Sequence, residues 1–269
     1  MNSLVKQFFS VGKEKGDVHF QDVYFLSQQT DWDWEQTRLK APNLPRPWFE
    51  LSRISSEDRI EFVQSFWLDN LPYSPTSYPE LEKFFHRLDD IGIVLHRQSQ
   101  EESFSAEMIY SLEDNSCFFR GLPPASEDAW DQLLLELQLK LPRDFQAFTR
   151  IHNGFGKLSE LGLLRLEGLF EERRAMLNSL LNGESVLRSG EKRVDPQSLI
   201  PFYESFGLAS YQCFYSDWYP GFEMGNIYFS GIDYTVSDIT DERAWTEHLA
   251  FPTFLDWLVY YLEGIVSFN

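Results

Sequence analysis

Cysteine is scarce in this chain, with only Cys117 and Cys213, far apart. Two such residues exclude a disulfide framework and the close pairs that hold zinc. Histidine is thin as well: His19, His86, His96, His152 and His248 never fall four apart or into an H-E-x-x-H pattern. There is no nucleophile elbow and no P-loop, and Gly154-Phe155-Gly156 supplies only the first glycine pair of a dinucleotide fingerprint. Long apolar runs are missing too. The richest late stretch, FPTFLDWLVYYLEGI, carries Asp256 and Glu263 and is shorter than the roughly 20 apolar residues that cross a bilayer. The opening MNSLVKQFFSVGKEKGD has no long apolar core and no small-residue cleavage site, so no secretory signal is read and a cytoplasmic protein is expected. Repeats and low-complexity tracts are absent. These absences leave no cofactor, metal or catalytic residue legible, and the expectation is a protein that is not an enzyme.

Positive charge is the other shortage. Lysine and arginine number 23 against 42 acids, a formal net charge of −19. The deficit is uneven: from residue 194 onward eleven acids face Arg243 alone. Such a field repels phosphate backbones, so no nucleic-acid partner is expected, while a basic protein would be drawn in. The plain alternative is a solvated acidic face that keeps the protein soluble. What the chain does have is 43% hydrophobic and 16% aromatic residues, spread throughout. That suffices for a sizeable core in one large domain or two small ones.

Along the chain, the first fifty residues mix aromatics with polar groups and end in KAPNLPRPWFEL, which reads as an irregular packed extension. A helix follows Ser55 and Ser56, with Ile60, Val63 and Trp67 at helical spacing and Phe62 and Phe66 beside them. A second helix is placed with Pro79 at its first position, Leu81, Phe84, Phe85 and Leu88 on its inner face, and Gly92 as its stop. IGIVLH and FSAEMIYSL read as a hairpin, and CFFRGLPPASED as a junction. Ser126 then caps a helix buried through Leu133, Leu134 and Leu137. LGLLRLEGLF reads as a strand or strand pair and EERRAMLNSLLNGE as a helix ending near Asn182-Gly183. SLIPFYES, SYQCFYSD and GNIYFSGI read as strands. A last helix carries Phe251, Phe254, Leu255, Leu258, Leu262 and Ile265 on one side. Without regular strand–helix alternation, this order predicts an α+β fold with a mostly antiparallel sheet flanked by helices.

The stretch LPRDFQAFTRIHNGFG, residues 141–156, explains itself structurally. Pro142 fits a first helical turn, Asp144 suits the positive end, and Phe145, Phe148 and Ile151 form one inward face. His152 sits where a helix ends, and Asn153-Gly154 tolerate the left-handed backbone of a C-cap.

These same residues resemble the SUKH superfamily, the group of a yeast cell-wall-synthesis regulator and of many bacterial toxin-immunity proteins. The match rests on four blocks in order: Leu141-Pro142 with Phe145, Phe148 and Asn153-Gly154; the SLIPFYES strand with Pro201; GNIYFSGIDYTVSDI; and AFPTFLDWLVYYL. Phe148-Thr149 departs from the family pattern, which places leucine second. The resemblance covers residues 121–269 and implies a SUKH-like domain there. Residues 1–120 fall outside it, either as an α+β extension packed on the same core or as a separate recognition region.

The resemblance implies a non-enzymatic protein-binding module. One reading is an immunity protein that neutralises a cognate toxin, which the acidic charge would suit to a basic nuclease-type toxin. The other is a regulatory or scaffold protein that binds a cellular partner. The loop SDWYPGFEMG places Trp218, Tyr219 and Phe222 between Asp217 and Glu223, an aromatic patch ringed by acids. With Asp233 and Asp238 it forms the candidate partner surface, unless Trp218 and Phe222 are tucked beneath the loop.

Overall fold

The computed structural model describes residues 1–10, 20–181, 186–205 and 209–263. The described residues among the first fifty are more regular than their sequence suggests. They hold α1 (Ser3–Phe8), β1 (Asp22–Phe25), α2 (Trp34–Lys40) and α3 (Arg46–Leu51). These helices are too short for an apolar period to show, and capping fixes them instead. Asn2 accepts from Val5 N at 3.1 Å and Asp33 from Gln36 N at 2.7 Å, while Pro47 lies in the first turn of α3.

Next come α4 (Ser56–Asn70), capped by Ser55, and α5 (Ser77–His86). Val63 and Trp67 are buried on α4, Ile60 is half-buried, and Phe62 and Phe66 face solvent. Helix α5 starts two residues before Pro79, and it stops at His86 rather than at Gly92. Gly92 lies inside β2 (Leu88–Arg97), and Leu88 opens that strand instead of lining the helix. A Cβ on Gly92 would stand 1.9 Å from Met1 Cε, so close packing and not chain termination requires glycine there. The hairpin partner is β3 (Ser105–Leu112), and β4 (Phe118–Gly121) replaces the expected junction.

The remaining elements are α6 (Glu127–Leu137), α7 (Arg143–Thr149), β5 (Phe155–Lys157), β6 (Gly162–Leu163), α8 (Leu166–Leu181), β7 (Arg188–Ser189), β8 (Lys192–Arg193), β9 (Leu199–Glu204), β10 (Ser210–Tyr215), β11 (Asn226–Ser230), β12 (Thr235–Val236), β13 (Ala250–Phe251) and α9 (Phe254–Glu263). Ser126 caps α6 through Ala129 N at 3.1 Å. Its buried stripe is Trp130, Leu133 and Leu137, with Leu134 turned partly outward. Only Gly162 and Leu163 of LGLLRLEGLF pair as a strand, and helix begins at Leu166. Asn182, Gly183 and Ile265 lie outside the described residues. The last helix begins at Phe254, so Phe251 pairs in β13 instead of lining it; Phe254, Leu255, Leu258 and Leu262 are buried as expected, and Trp257, Val259 and Tyr261 with them.

Among the described residues, eleven strands form one sheet in the order β1-β2-β3-β4-β5-β6-β9-β10-β11-β12, with β13 also on β11 and every pairing antiparallel. This is an α+β fold, and strands from before and after residue 121 share the sheet through the β4–β5 pairing. One face carries Tyr110, Phe119, Phe155, Phe202 and Phe214, covered by α4, α5, α7 and α9. Trp67 packs there against Tyr110 and Phe155 with ring centroids 5.6 and 5.8 Å apart. The other face is covered in two places: Val5, Phe9 and Phe20 lie over Val94, Ile109 and Phe118, and Met176 and Leu180 of α8 lie over Tyr211, Cys213 and Ile227. Each such side chain stabilises the fold by about 1.5–3 kcal/mol through burial. A buried charge group crosses this second face. Glu107 is held between Arg120 and His96, each at 3.2 Å. Burial pushes its carboxyl up, but the His96 imidazole and the Arg120 guanidinium beside it outweigh this and hold it below the usual range.

Candidate functional site

The 141–156 stretch forms the hub of the fold. Leu141 and Pro142 are buried at the start of α7, with Pro142 as its N-cap. Phe145 meets Phe214 and Phe254 at 5.1 and 5.3 Å, and Phe148 meets Trp67 at 5.2 Å. Asp144 does more than face its own helix. Its Oδ2 accepts from Leu255 N at 3.0 Å and Oδ1 from Phe145 N at 2.9 Å, so it also caps α9. Burial pushes this carboxyl up to about 6, against the pull of those backbone bonds.

His152 is fully buried and does not serve as a cation at a helix end. Trp67 Nε1 donates to Tyr110 Oη at 3.0 Å, and Leu122 O, which can only accept, lies 2.9 Å from His152 Nδ1. The proton therefore sits on Nδ1, and Nε2 accepts from Tyr110 Oη at 2.6 Å. Burial pulls the imidazole down to about 4, so the ring is neutral at pH 7 and locked at both nitrogens. It is a packing residue.

Asn153 and Gly154 also act differently from a C-cap. Helix α7 ends at Thr149 with Arg150 in right-handed geometry. Asn153 Oδ1 instead accepts from Leu166 N at 2.9 Å, and its Nδ2 donates to both Glu167 oxygens at 2.8 and 3.0 Å. It thus starts α8, which is why helix replaces the expected strand. Gly154 has φ +111°, and a Cβ there would come within 2.8 Å of Leu122 Cδ1. Asn153→Ala is expected to lower stability by about 2 kcal/mol in urea unfolding, since the buried Leu166 N–H is stranded. A loss below about 0.5 kcal/mol would overturn this role. Pro201 lies inside β9 opposite Cys213, where the β10 register shifts. A proline fits an irregular position because no N–H is needed there.

The candidate partner residues divide into groups. Trp218 is half-buried, 5.3 Å from Trp245, with its ring over Gly225. Beyond it, Asp217, Tyr219 and Phe222 are exposed, and Phe222 is as open as in an isolated residue at 105%. So Trp218 anchors the loop and Phe222 leaves it. Glu223 pairs loosely with Arg143 at 3.8 Å. Asp233 is exposed at the opposite end of β11, in the turn to β12, where Ser230 Oγ donates to it at 3.3 Å. Asp238 lies on the returning segment with Trp245, and its carboxyl is held below the usual range by bonds from Thr240 Oγ1 and N at 2.7 and 2.9 Å. The fold therefore unites Asp217, Trp218, Tyr219 and Glu223 on one loop and places Asp233 away from them.

One neighbour of this loop carries no motif in the sequence. A cleft of about 340 Å³ is lined by Tyr73, Arg143, Asp144, Glu223 and Asp256 among others, and Tyr73 is 76% exposed. Pro72 and Pro79 signal a break there, but nothing local predicts that its tyrosine meets a loop 150 residues later. A second cleft, about 230 Å³, is lined by Leu161, Leu163, Arg120 and Arg165.

Cys117 and Cys213 are buried, and burial raises both thiols, Cys117 to about 11, which keeps them protonated at pH 7. Among the described residues no group of three or more histidines, cysteines or acids could hold a metal ion, and no helix is long and apolar enough to cross a membrane. Comparison with curated proteins gives no match. The model of the SMI1/KNR4 family (SUKH-1) matches residues 124–259, about half of the chain, from the approach to α6 into α9. This chain belongs to the SMI1/KNR4 (SUKH-1) family.

Proposed function

We propose that this chain is a cytoplasmic, non-enzymatic immunity protein that binds and neutralises a cognate toxin with a basic surface, of the nuclease type. Family membership supports a protein-binding role in immunity or regulation. The observation that carries the finer reading is Phe222, fully in solvent beside Tyr219 on a loop flanked by Asp217 and Glu223. An exposed aromatic is a source of binding energy once covered, and the surrounding acids favour a basic partner over a neutral or acidic one. The charge deficit from residue 194 onward extends that field and disfavours nucleic acid. Residues 1–120 act in this reading as an extension that packs on the family domain's sheet and adds surface to it.

The test is capture of the partner from the native organism by the parent chain and by a variant carrying lysine at Asp217, Glu223, Asp233 and Asp238. At low salt the variant is expected to associate on the order of 100-fold more slowly. Undiminished capture by the variant would sink the acidic-surface reading. Co-purification of a secreted toxin encoded beside this gene supports immunity, whereas a host regulatory protein in its place would move the function to regulation.

A further inference from the structure

The cleft beside Phe222 is built from parts distant in the chain. Tyr73 comes from the α4–α5 connection, Arg143 and Asp144 from the start of α7, Glu223 from the β10–β11 loop, and Asp256 from the start of α9. Its volume of about 340 Å³ sits at the low end of ligand cavities, which run from about 300 to 1,000 Å³. That suits one long side chain better than a larger molecule.

Charge decides what kind of side chain. Three carboxylates line the cleft against one cation, Arg143, whose side chain is 87% exposed and reaches Glu223 only at 3.8 Å. Arg143 thus leans into solvent and leaves the interior negative. The start of α9 would ordinarily invite an anion. Here two of its donors are taken: Leu255 N is bound by Asp144 and Asp256 N by Thr253 Oγ1 at 3.1 Å. An anion would meet three carboxylates, two of which already occupy or flank those donors, so a cation is favoured. The carboxylates keep unused lone pairs that can accept from a guanidinium, and the open face of Tyr73 is a wall on which a planar cation stacks. Phe222, fully exposed, precedes Glu223 in the chain.

We propose that this cleft receives an arginine side chain of the protein partner, its guanidinium bound by Asp144, Glu223 and Asp256 and stacked on Tyr73, while Phe222 and Tyr219 cover the flanking chain. This rests on the reading of a basic partner and names the pocket in which that partner is anchored.

The probe is acetyl-Gly-Arg-Gly-amide, titrated into the full ¹⁵N-labelled chain at low salt, with the citrulline peptide as its uncharged twin. The expected result is saturable shifts of the Asp144, Glu223 and Leu255 amides, with a Kd on the order of 1 mM, as fits a single side chain. The citrulline peptide is expected to leave them unmoved. Glu223→Gln is expected to weaken binding about threefold, the effect of one exposed charge pair. Arg143→Ala removes the competing cation and is expected to tighten it, which keeps the test decisive even if a carboxylate variant misfolds. Equal shifts from both peptides, or no saturable shift from either, would overturn the proposal. Shifts centred on Asp233 or Asp238 would also overturn it, while leaving the basic-partner reading standing. Loss of partner capture on charge reversal with no effect from Glu223→Gln or Arg143→Ala would do the same.

Discussion

His152→Ala is expected to lower the unfolding free energy by about 5 kcal/mol, read by urea unfolding near neutral pH. The ring lies 5.7 Å from Trp48, 6.1 Å from Trp67 and 5.6 Å from Phe155, at the joint between helices and sheet. Truncating a buried ring costs about 3–5 kcal/mol through lost contacts and the cavity left behind. The change also leaves the Tyr110 O–H without its acceptor, though Trp67 Nε1 still donates to that oxygen, and removes the His152 donor from the Leu122 carbonyl. A buried polar group that loses its partner costs about 1–3 kcal/mol. Since whole domains are stable by about 5–15 kcal/mol, this one substitution removes much of the margin. His152→Phe retains ring volume without the hydrogen bonds and is expected to lose about 2–3 kcal/mol, separating the two contributions. A loss below about 1 kcal/mol for the alanine variant would mean that the Trp67–Tyr110–His152–Leu122 chain does not stabilise the protein.

Asp144→Asn is expected to expose a dependence on pH that the parent chain conceals. Asp144 takes up its proton near pH 6 in the folded chain and near its ordinary value of 3.8 when unfolded. Within that window the folded state holds more protons, so this group makes the protein more stable as the pH falls, by about 3 kcal/mol in all. His152 acts in the opposite sense. It titrates near 4 when folded and 6.5 when unfolded, so its contribution is complete above pH 6.5 and is lost as the pH falls toward 4, also by about 3 kcal/mol. The windows overlap, and in the parent the two slopes largely offset each other. Removing the carboxyl leaves the His152 slope without this opposing contribution. Between pH 6.5 and 4 the variant is therefore expected to lose about 3 kcal/mol more than the parent. Denaturant midpoints measured across that range check the difference, which isolates Asp144 from every other titrating group. Parallel profiles for the two proteins would refute the burial argument for this carboxyl.

Much of the fold was legible because its signals are local. Ser55 and Ser126 announce the helices they cap, and the β-branched and aromatic runs of β2, β3, β9, β10 and β11 declare strands. Errors arose where a residue's partner is remote. Gly92 punctuates nothing, because it exists to let Met1 approach. CFFRG contains too few residues to show strand periodicity, yet pairs on both sides with β3 and β5. Leu134 fits the apolar spacing of α6 but is partly exposed at the edge of the stripe that Trp130, Leu133 and Leu137 bury.

Composition and pattern alone determined the α+β class, the mostly antiparallel sheet, the inward aromatic face of α7 and the four blocks that mark the family. Each follows from periodicity, capping or residue type, which are properties of neighbours in the chain. Tertiary structure alone decided what those blocks are for. Asn153 starts α8, Asp144 caps α9, and His152 is a neutral bridge to β3, since a hydrogen-bond partner 13, 111 or 42 residues away leaves no local trace. It also decided the candidate site. The sequence supplied the acids and aromatics of the 217–223 loop, but only folding sets Tyr73, Asp144 and Asp256 around Glu223 and separates Asp233 from them, because a binding surface is made by contacts between segments.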